Sequence, residues 1–568
     1  MCLPAHLPVN QMTKFNLQND YNSDSLINPY AFVQQSLLLP VTIDLQQELP
    51  ESDICWTVFR CVEEAGLIQY VRTENRDGDD YPAIDMLKAV MLGWTEFGRP
   101  SVRDLEDLAH NNIRYRILFP GDTKPSFMAF HRFIHDDMSI SAEDLLTKLN
   151  LYMASVLPED INPENEEIDG TKEEADANKM TFVWRGATDK FYARCYASTF
   201  ELFKQLIAHF NANNVKHPIS LLHQFDLNYL MKVACFIEEY CKQQNIQFVY
   251  GKGKHKTKIQ RWYDELKGYA IRIWKYQMHY DILEDRNSFS KTDPDATFMH
   301  MKYDYYNHTN VFKPGFNVQM GNVNGFVWDI YVSPDPNDMK TFIPLMEQHF
   351  RNYGSYPKRT GADAGYGSFD NYKFCKDHQM ELYMKYPNYD ARKKKKTDKN
   401  RFKSFMMDRD ENGLPICPAG HSFRVEKTRT ETRGVYPREM ETLINDHCEN
   451  CPLKSKCTKS KSGARRIQRC VQLEEWQEEV DNNLETELGK KIMQNRRVFA
   501  EGIFGDKKYN WKNDKLHRTG ESGVKTEIYL YALGRNLRRF HKLYWERRRE
   551  AEKKAAKLIE FARSVMPA

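Results

Sequence analysis

Two apolar runs flanking an Asn-Gly pair restrict the fold more than any other stretch. Gly315-Phe316-Asn317-Val318-Gln319-Met320-Gly321 alternates in character, and so does Phe326-Val327-Trp328-Asp329-Ile330-Tyr331-Val332. Period-two alternation on either side of Asn322-Val323-Asn324-Gly325 predicts an antiparallel hairpin. A helix over 338–352 follows, then a strand leading into the Gly-rich turn around Asp363, a helix over 368–378 and a strand over 381–386. Upstream, 166–172 reads as a strand ending in an Asp169-Gly170 turn, since Asp-Gly is a strong turn signal. The order strand, strand, strand, helix, strand, helix, strand predicts an α/β sheet with helices packed on its faces. Ligand sites in such sheets lie at the carboxyl ends of strands, where this reading puts Asp169 and Asp363.

The chain has 568 residues, enough for several domains. Lys+Arg number 82 against 79 Asp+Glu, a net charge of +3, so any basic surface is local. Aromatics at 13% argue against a disordered chain. No run of eighteen apolar residues predicts a membrane helix, and residues 1–20 lack the pattern of a signal peptide. The expected location is therefore cytoplasmic. In a reducing compartment, clustered cysteines among the 12 suggest metal ligands before disulfides.

Residues 1–75 begin rich in Asn and Gln and carry no recognisable chemistry. Pro82 is placed to open a helix over 83–92, Ser101 caps a second over 102–109, and a third begins near Pro125-Ser126. These helices carry Arg99, Arg103, Arg114, Arg116, Lys124 and Arg132, which suits either a plain bundle or a small DNA-binding unit. A second short strand is expected at 181–185. Helical patterns then run to about 287, with a basic run from Lys252 to Lys258 that serves as a solvated linker or a phosphate contact. Asp293 and Asp295 are turn residues first and rival carboxylates second.

Cys417, Cys448, Cys451 and Cys457 form the one Cys cluster. The Cys448-x2-Cys451 pair has zinc-ligand spacing, and Cys417 and Cys457 can complete four thiolates, with His421 as a substitute. The alternative is a set of free thiols in a mobile loop. Past this cluster, 496–508 contains Arg497, Glu501 and Lys508 at offsets that place all three on one helix face. A long basic helix is predicted over 524–562, with Ile528, Tyr531, Leu533 and Leu537 docking on the core.

Asp169, Asp363 and Glu501 form an ordered Asp…Asp…Glu set. With its flanking words Asp-Gly-Thr-Lys…Ala-Asn-Lys…Phe-Val-Trp, the chain resembles the DDE transposases of bacterial insertion sequences. More narrowly, it looks like the branch marked by Tyr-x2-Arg-x3-Glu-x6-Lys. Arg497, Glu501 and Lys508 match that signature, and Gln494 stands in its Tyr position. The resemblance implies an RNase H-like mixed sheet, interrupted by a helical insertion and a Cys-rich insertion and preceded by an all-α domain. It implies Mg²⁺ (or Mn²⁺) at Asp169, Asp363 and Glu501, with structural Zn²⁺ at the cysteines. Arg497, Lys508, Lys172, Arg103 and Arg132 would contact DNA phosphates. The implied activity is cleavage at element ends and transfer of the freed 3′ hydroxyl to target DNA, by a protein associated with the nucleoid and at least dimeric when two ends are synapsed. The expected division is an extension at 1–78, a helical DNA-binding domain at 79–155, core segments at 160–187, 291–388 and 481–545, insertions at 188–290 and 389–480, and a charged tail at 546–568. A DNA-binding descendant without catalysis, and a nuclease that cuts without joining, remain alternatives.

Overall fold

The computed structural model describes residues 48–72, 81–222, 224–301, 308–398, 400–460 and 463–565. All the architecture below belongs to the compact unit from Glu51 onward. The Asn- and Gln-rich start lies outside the described residues.

The first layer is helical. Asp53 caps α1 (Ile54–Glu64). α2 (Ala83–Phe97) is buried along most of its length and ends at Gly98, whose φ of 70° permits the sharp exit. Ser101 and Asp104 form a reciprocal capping box on α3 (Val102–Asn111), followed by α4 (Ile113–Leu118) and by α5 (Phe127–Arg132), capped by Ser126. A π-helical turn leads into α6 (Ser139–Val156). Arg114 is a structural residue here: it reaches both Asp53 and Glu96, so it is not a free phosphate contact.

β1 (Asn165–Glu174) then enters a mixed sheet, and β2 (Phe182–Trp184) lies outside it. α7 (Arg185–Ala212), α8 (Leu227–Gln243) and α9 (Lys258–Leu283) pack together around their own core, including Phe203, Phe210, Phe225 and Trp262. β3 (Ser288–Ser290) closes this excursion by pairing with β2. Asp293 and Asp295 accept backbone N–H groups of Gly520 and Glu521, so these rival carboxylates are helix-end ligands.

β4 (Thr297–His300), β5 (Phe312–Val323) and β6 (Phe326–Ser333) return to the sheet. The β5–β6 hairpin turns at Asn324 and Gly325, both at positive φ, as the Asn-Gly pair predicts. α10 (Phe342–Tyr353), β7 (Arg359–Ala362), α11 (Phe369–Asp377) and β8 (Glu381–Met384) follow. The strand order is β4-β5-β1-β7-β8, with β6 also on β5. β1 runs antiparallel to β5 and parallel to β7. This is the α/β class expected, and the order of the sheet elements is as expected except for β4, an edge strand the sequence reading did not include. One expectation fails: β1 does not turn at Asp169-Gly170 but continues to Glu174. Gly170 has a packing role instead, because a Cβ there would meet the Gln319 side chain at 2.4 Å.

A small three-stranded sheet, β9 (Arg424–Glu431), β10 (Arg438–Asn445) and β11 (Arg465–Arg469), follows. α12 (Val471–Glu485) and α13 (Glu487–Asn495) bring the chain back to β8, β7 and β1. Beyond a π turn come α14 (Glu501–Gly505), a second π turn, and α15 (Gly520–Val565). α15 buries Ile528, Tyr531, Leu533 and Leu537. Its arginines are also partly structural: Arg538 stacks 3.9 Å from the Trp511 ring and Arg539 lies against Phe326 and Phe499. No helix among the described residues is long and apolar enough to cross a membrane.

Behind the sheet, Glu166, Asp329 and His349 form a fully buried cluster. His349 Nδ1 lies 2.6 Å from Asp329 and 3.2 Å from Glu166. Gly321 makes room for it, since a Cβ there would overlap the Glu166 carboxyl. Burial and the Asp329 charge push Glu166 up to about 7. Burial opposes charging of His349, but the two carboxylates outweigh it and push the imidazole up to about 10. Both groups hold protons more tightly folded than unfolded, so their stabilisation is full below the unfolded values and is lost as pH rises through the folded ones. The urea midpoint of the wild type is expected to fall between pH 6 and pH 10, and His349→Gln should flatten that fall. Parallel pH profiles for the two proteins would contradict it.

Candidate active site

The odd-numbered residues of β1 share one face, because successive strand side chains alternate. Four of them, from Glu167 to Glu173, meet the end of α13 or the helical segment that follows it. Glu167 is reached by Asn495. Asp169 lies 3.5 Å from Arg496. Thr171 accepts from Lys508 at 2.6 Å, and Glu173 pairs with Lys507 at 2.6 Å. Strand and helix are thus matched along four successive positions.

The parallel register brings in Asp363. Glu167 stands opposite Gly361, and carrying that register two residues on sets Asp169 opposite Asp363, one residue past the end of β7. Gly365 N–H donates to Asp363 Oδ1 at 2.7 Å and fixes the turn. Glu501 is half-exposed, and the guanidinium of Arg496 bridges it, at 3.1 Å, to Asp169. The three carboxylates share one electrostatic environment. Burial raises the Asp169 carboxyl to about 6; Arg496 opposes this, while the charges of Asp363 and Glu501 add to it. They are not drawn as tightly as the Glu166 cluster, the one group of three potential ligands within 4.8 Å of one another among the described residues.

Here the expected helix face is corrected. A uniform α-helix would align Arg497, Glu501 and Lys508. Two π turns, Arg496–Ala500 and Asp506–Asn510, rotate the face. Arg496 turns towards the carboxylates and Arg497 is exposed. Lys508 reaches β1 from the second π turn, while its neighbour Lys507 is buried. The Arg-Arg and Lys-Lys doublets were the visible signal that register, not residue type, would decide which member faces inward. Lys172 is on the opposite face of β1 from Asp169 and partly exposed. Arg103 and Arg132 are exposed on α3 and α5, with Arg103 over the Phe127 ring. Sequence reading also missed Gln319, Asp338 and Tyr366, whose roles emerge only from tertiary contacts.

Cys417, Cys448, Cys451 and Cys457 line one small cavity with Phe402, Phe423 and Leu453. The His421 N–H lies 3.4 Å from the Cys417 sulfur, and the Arg465 guanidinium lies 2.8 Å from that of Cys457. Burial raises the Cys448 thiol, and the sulfurs of Cys457, Cys417 and Cys451 raise it further. No three of these sulfurs come within 4.8 Å of one another. His421 stacks on His447.

Residues 416–541 match a family model described as a transposase DDE domain. That segment holds the four cysteines, Arg496, Glu501, Lys508 and the first half of α15; Asp169 and Asp363 precede it. The match supports a DDE transposase. No curated protein matches the chain.

Proposed function

We propose that the protein is a DNA transposase that cleaves at element ends and joins the freed 3′ hydroxyl to target DNA, using Asp169, Asp363 and Glu501 on an RNase H-like core. The observation that carries this is Arg496 bridging Asp169 and Glu501, with Asp363 set opposite Asp169 by the strand register, within a chain whose C-terminal part matches a transposase DDE domain. The donor set is all carboxylate oxygen, and it suits Mg²⁺ or Mn²⁺, which prefer oxygen ligands and retain open positions. The raised Asp169 carboxyl fits too, because Arg496 alone does not offset its burial and its acidic neighbours. Two divalent ions held there would supply activation of the attacking oxygen and charge stabilisation at the leaving one.

The chain's own groups do the rest. Asp169 sits centrally, between the turn that carries Asp363 and the helix that carries Glu501. Arg496 holds Asp169 and Glu501 in place and can release either towards an ion. Lys508, held against Thr171, and exposed Arg497 supply positive charge for phosphates, which positions DNA without reading its sequence. Arg103 and Arg132 extend such contacts to the helical layer. Bringing two DNA ends together calls for at least two copies of the chain.

The test uses DNA flanking the protein's reading frame, with a second DNA as target. Expected are Mg²⁺-dependent nicks leaving 3′ hydroxyls, and joined products. Cutting without joining would favour a nuclease, and retardation without cutting a DNA-binding protein.

The four cysteines are proposed to hold a structural zinc ion, which would relieve the mutual repulsion of neighbouring thiolates. Purified protein should contain one zinc per chain, and Cys448→Ser should lose it together with protection of 402–470 from proteolysis. Wild-type protein free of zinc after metal-replete expression would exclude this site.

A further inference from the structure

The sheet face opposite Asp169 carries a buried polar chain that no step of the chemistry uses directly. β5 places Asn317 and Gln319 on that face, and both are fully buried. Gln319 Nε2 donates to Asn317 Oδ1 at 2.9 Å and to Asp338 Oδ1 at 3.2 Å. Asn317 Nδ2 donates to the same Asp338 oxygen at 2.7 Å. Both N–H groups of Gln319 are therefore engaged, and its Oε1 faces away and accepts the Tyr366 hydroxyl. The amide cannot be reversed: Oε1 would then face a carboxylate oxygen, and a buried acceptor without a donor is costly.

Tyr366 belongs to the turn that carries Asp363. Its N–H reaches the Asp363 carbonyl at 3.3 Å, and Gly365 N–H holds the Asp363 carboxylate. The phenol is buried within electrostatic reach of Asp338, Asp169 and Asp363. Gly365 separates two of these acids: a Cβ there would lie 2.9 Å from Asp363 Oδ1 and 3.7 Å from Asp338 Oδ2. Gly170, opposite Gln319, leaves the space that the amide fills. Two glycines, two amides, a phenol and an acid thus form one support beneath the Asp363 turn.

We propose that Gln319, its amide oriented by Asp338, is a positioning residue that acts through Tyr366 to hold the Asp363 carboxylate where a divalent ion can bind. The inference rests on the reading of Asp363 as an ion ligand. Groups that orient metal ligands typically change metal affinity or activity about 10–100-fold when removed. Asp338 acts here as an acceptor, so its oxygen matters more than its charge.

The experiment titrates Mg²⁺ in the DNA cleavage assay for wild type, Gln319→Leu, Tyr366→Phe, Asp338→Asn, Asp338→Leu and Asp363→Asn, with DNA affinity and melting measured alongside. Gln319→Leu, Tyr366→Phe and Asp338→Leu are expected to raise the half-maximal Mg²⁺ concentration about tenfold with DNA affinity unchanged. Asp338→Asn keeps an acceptor oxygen and should stay near wild type. Unchanged Mg²⁺ dependence in Gln319→Leu, with any loss of rate tracking loss of folded protein, would overturn the proposal. Loss of activity in Asp338→Asn would also overturn it, by making that carboxylate a direct ligand. Full activity in Asp363→Asn, or none in wild type, would remove the underlying reading, a result separate from anything the Gln319 variants report.

Discussion

Asp169→Asn is expected to reduce Mg²⁺-dependent DNA cleavage by about a hundred-fold or more while leaving the protein folded. An ion at a phosphodiester supplies several kcal/mol of charge stabilisation, and each ~1.4 kcal/mol is a factor of ten in rate. The substitution removes the charge that would hold the ion and keeps the volume of the side chain. Folding should tolerate it, because the carboxyl at this position is already penalised by burial and by Asp363 and Glu501. An uncharged amide relieves that repulsion, so the melting temperature should hold or rise. A variant that cleaves at the wild-type rate would remove Asp169 from the reaction. A variant that loses both activity and melting temperature would make it a structural residue.

The hairpin was legible because alternation and an Asn-Gly turn are local signals. So was most of the strand and helix order, although β5 and β6 are buried on both faces. Asp363 could be named from the end of a strand, and Asp169 and Glu501 only from their place in a recognisable set. What sequence could not supply was register. Asp169-Gly170 looks like a turn locally, yet the strand runs on, because Gly170 is small for the sake of Gln319 across the sheet. Arg497 looked like the facing cation under uniform helical spacing, but two π turns give that position to Arg496. Arg114 carries the same charge as Arg103, and only tertiary packing puts it between Asp53 and Glu96. Asp338 was expected to open a helix over 338–352, but it starts a separate 3-10 turn ahead of α10, which begins at Phe342. In each case the deciding contact joins residues far apart in the chain.

The largest stability effect is expected at Lys507. Its side chain and that of Glu173 are wholly excluded from solvent, 2.6 Å apart, and Lys507 also donates to the Asn513 carbonyl at 3.0 Å. Desolvating two charges offsets most of their attraction, so the intact pair adds little net stability. Breaking it is different. Lys507→Met leaves Glu173 buried beside an apolar side chain, with one carboxylate oxygen already lacking a partner. The expected loss is about 3–5 kcal/mol. Lys507→Met with Glu173→Leu should recover most of that loss, since neither charge then remains. Cleavage should recover less than stability. The pair fixes the second π turn to β1 next to the Thr171–Lys508 contact and on the same strand face as Asp169, and an apolar pair has no directional bond to hold that register. Urea denaturation of the three proteins gives the stability cycle, and cleavage rates under folded conditions give the other. Equal stability of wild type and Lys507→Met would mean that Glu173 reaches water without cost, and the strand-to-helix match would lose its anchor.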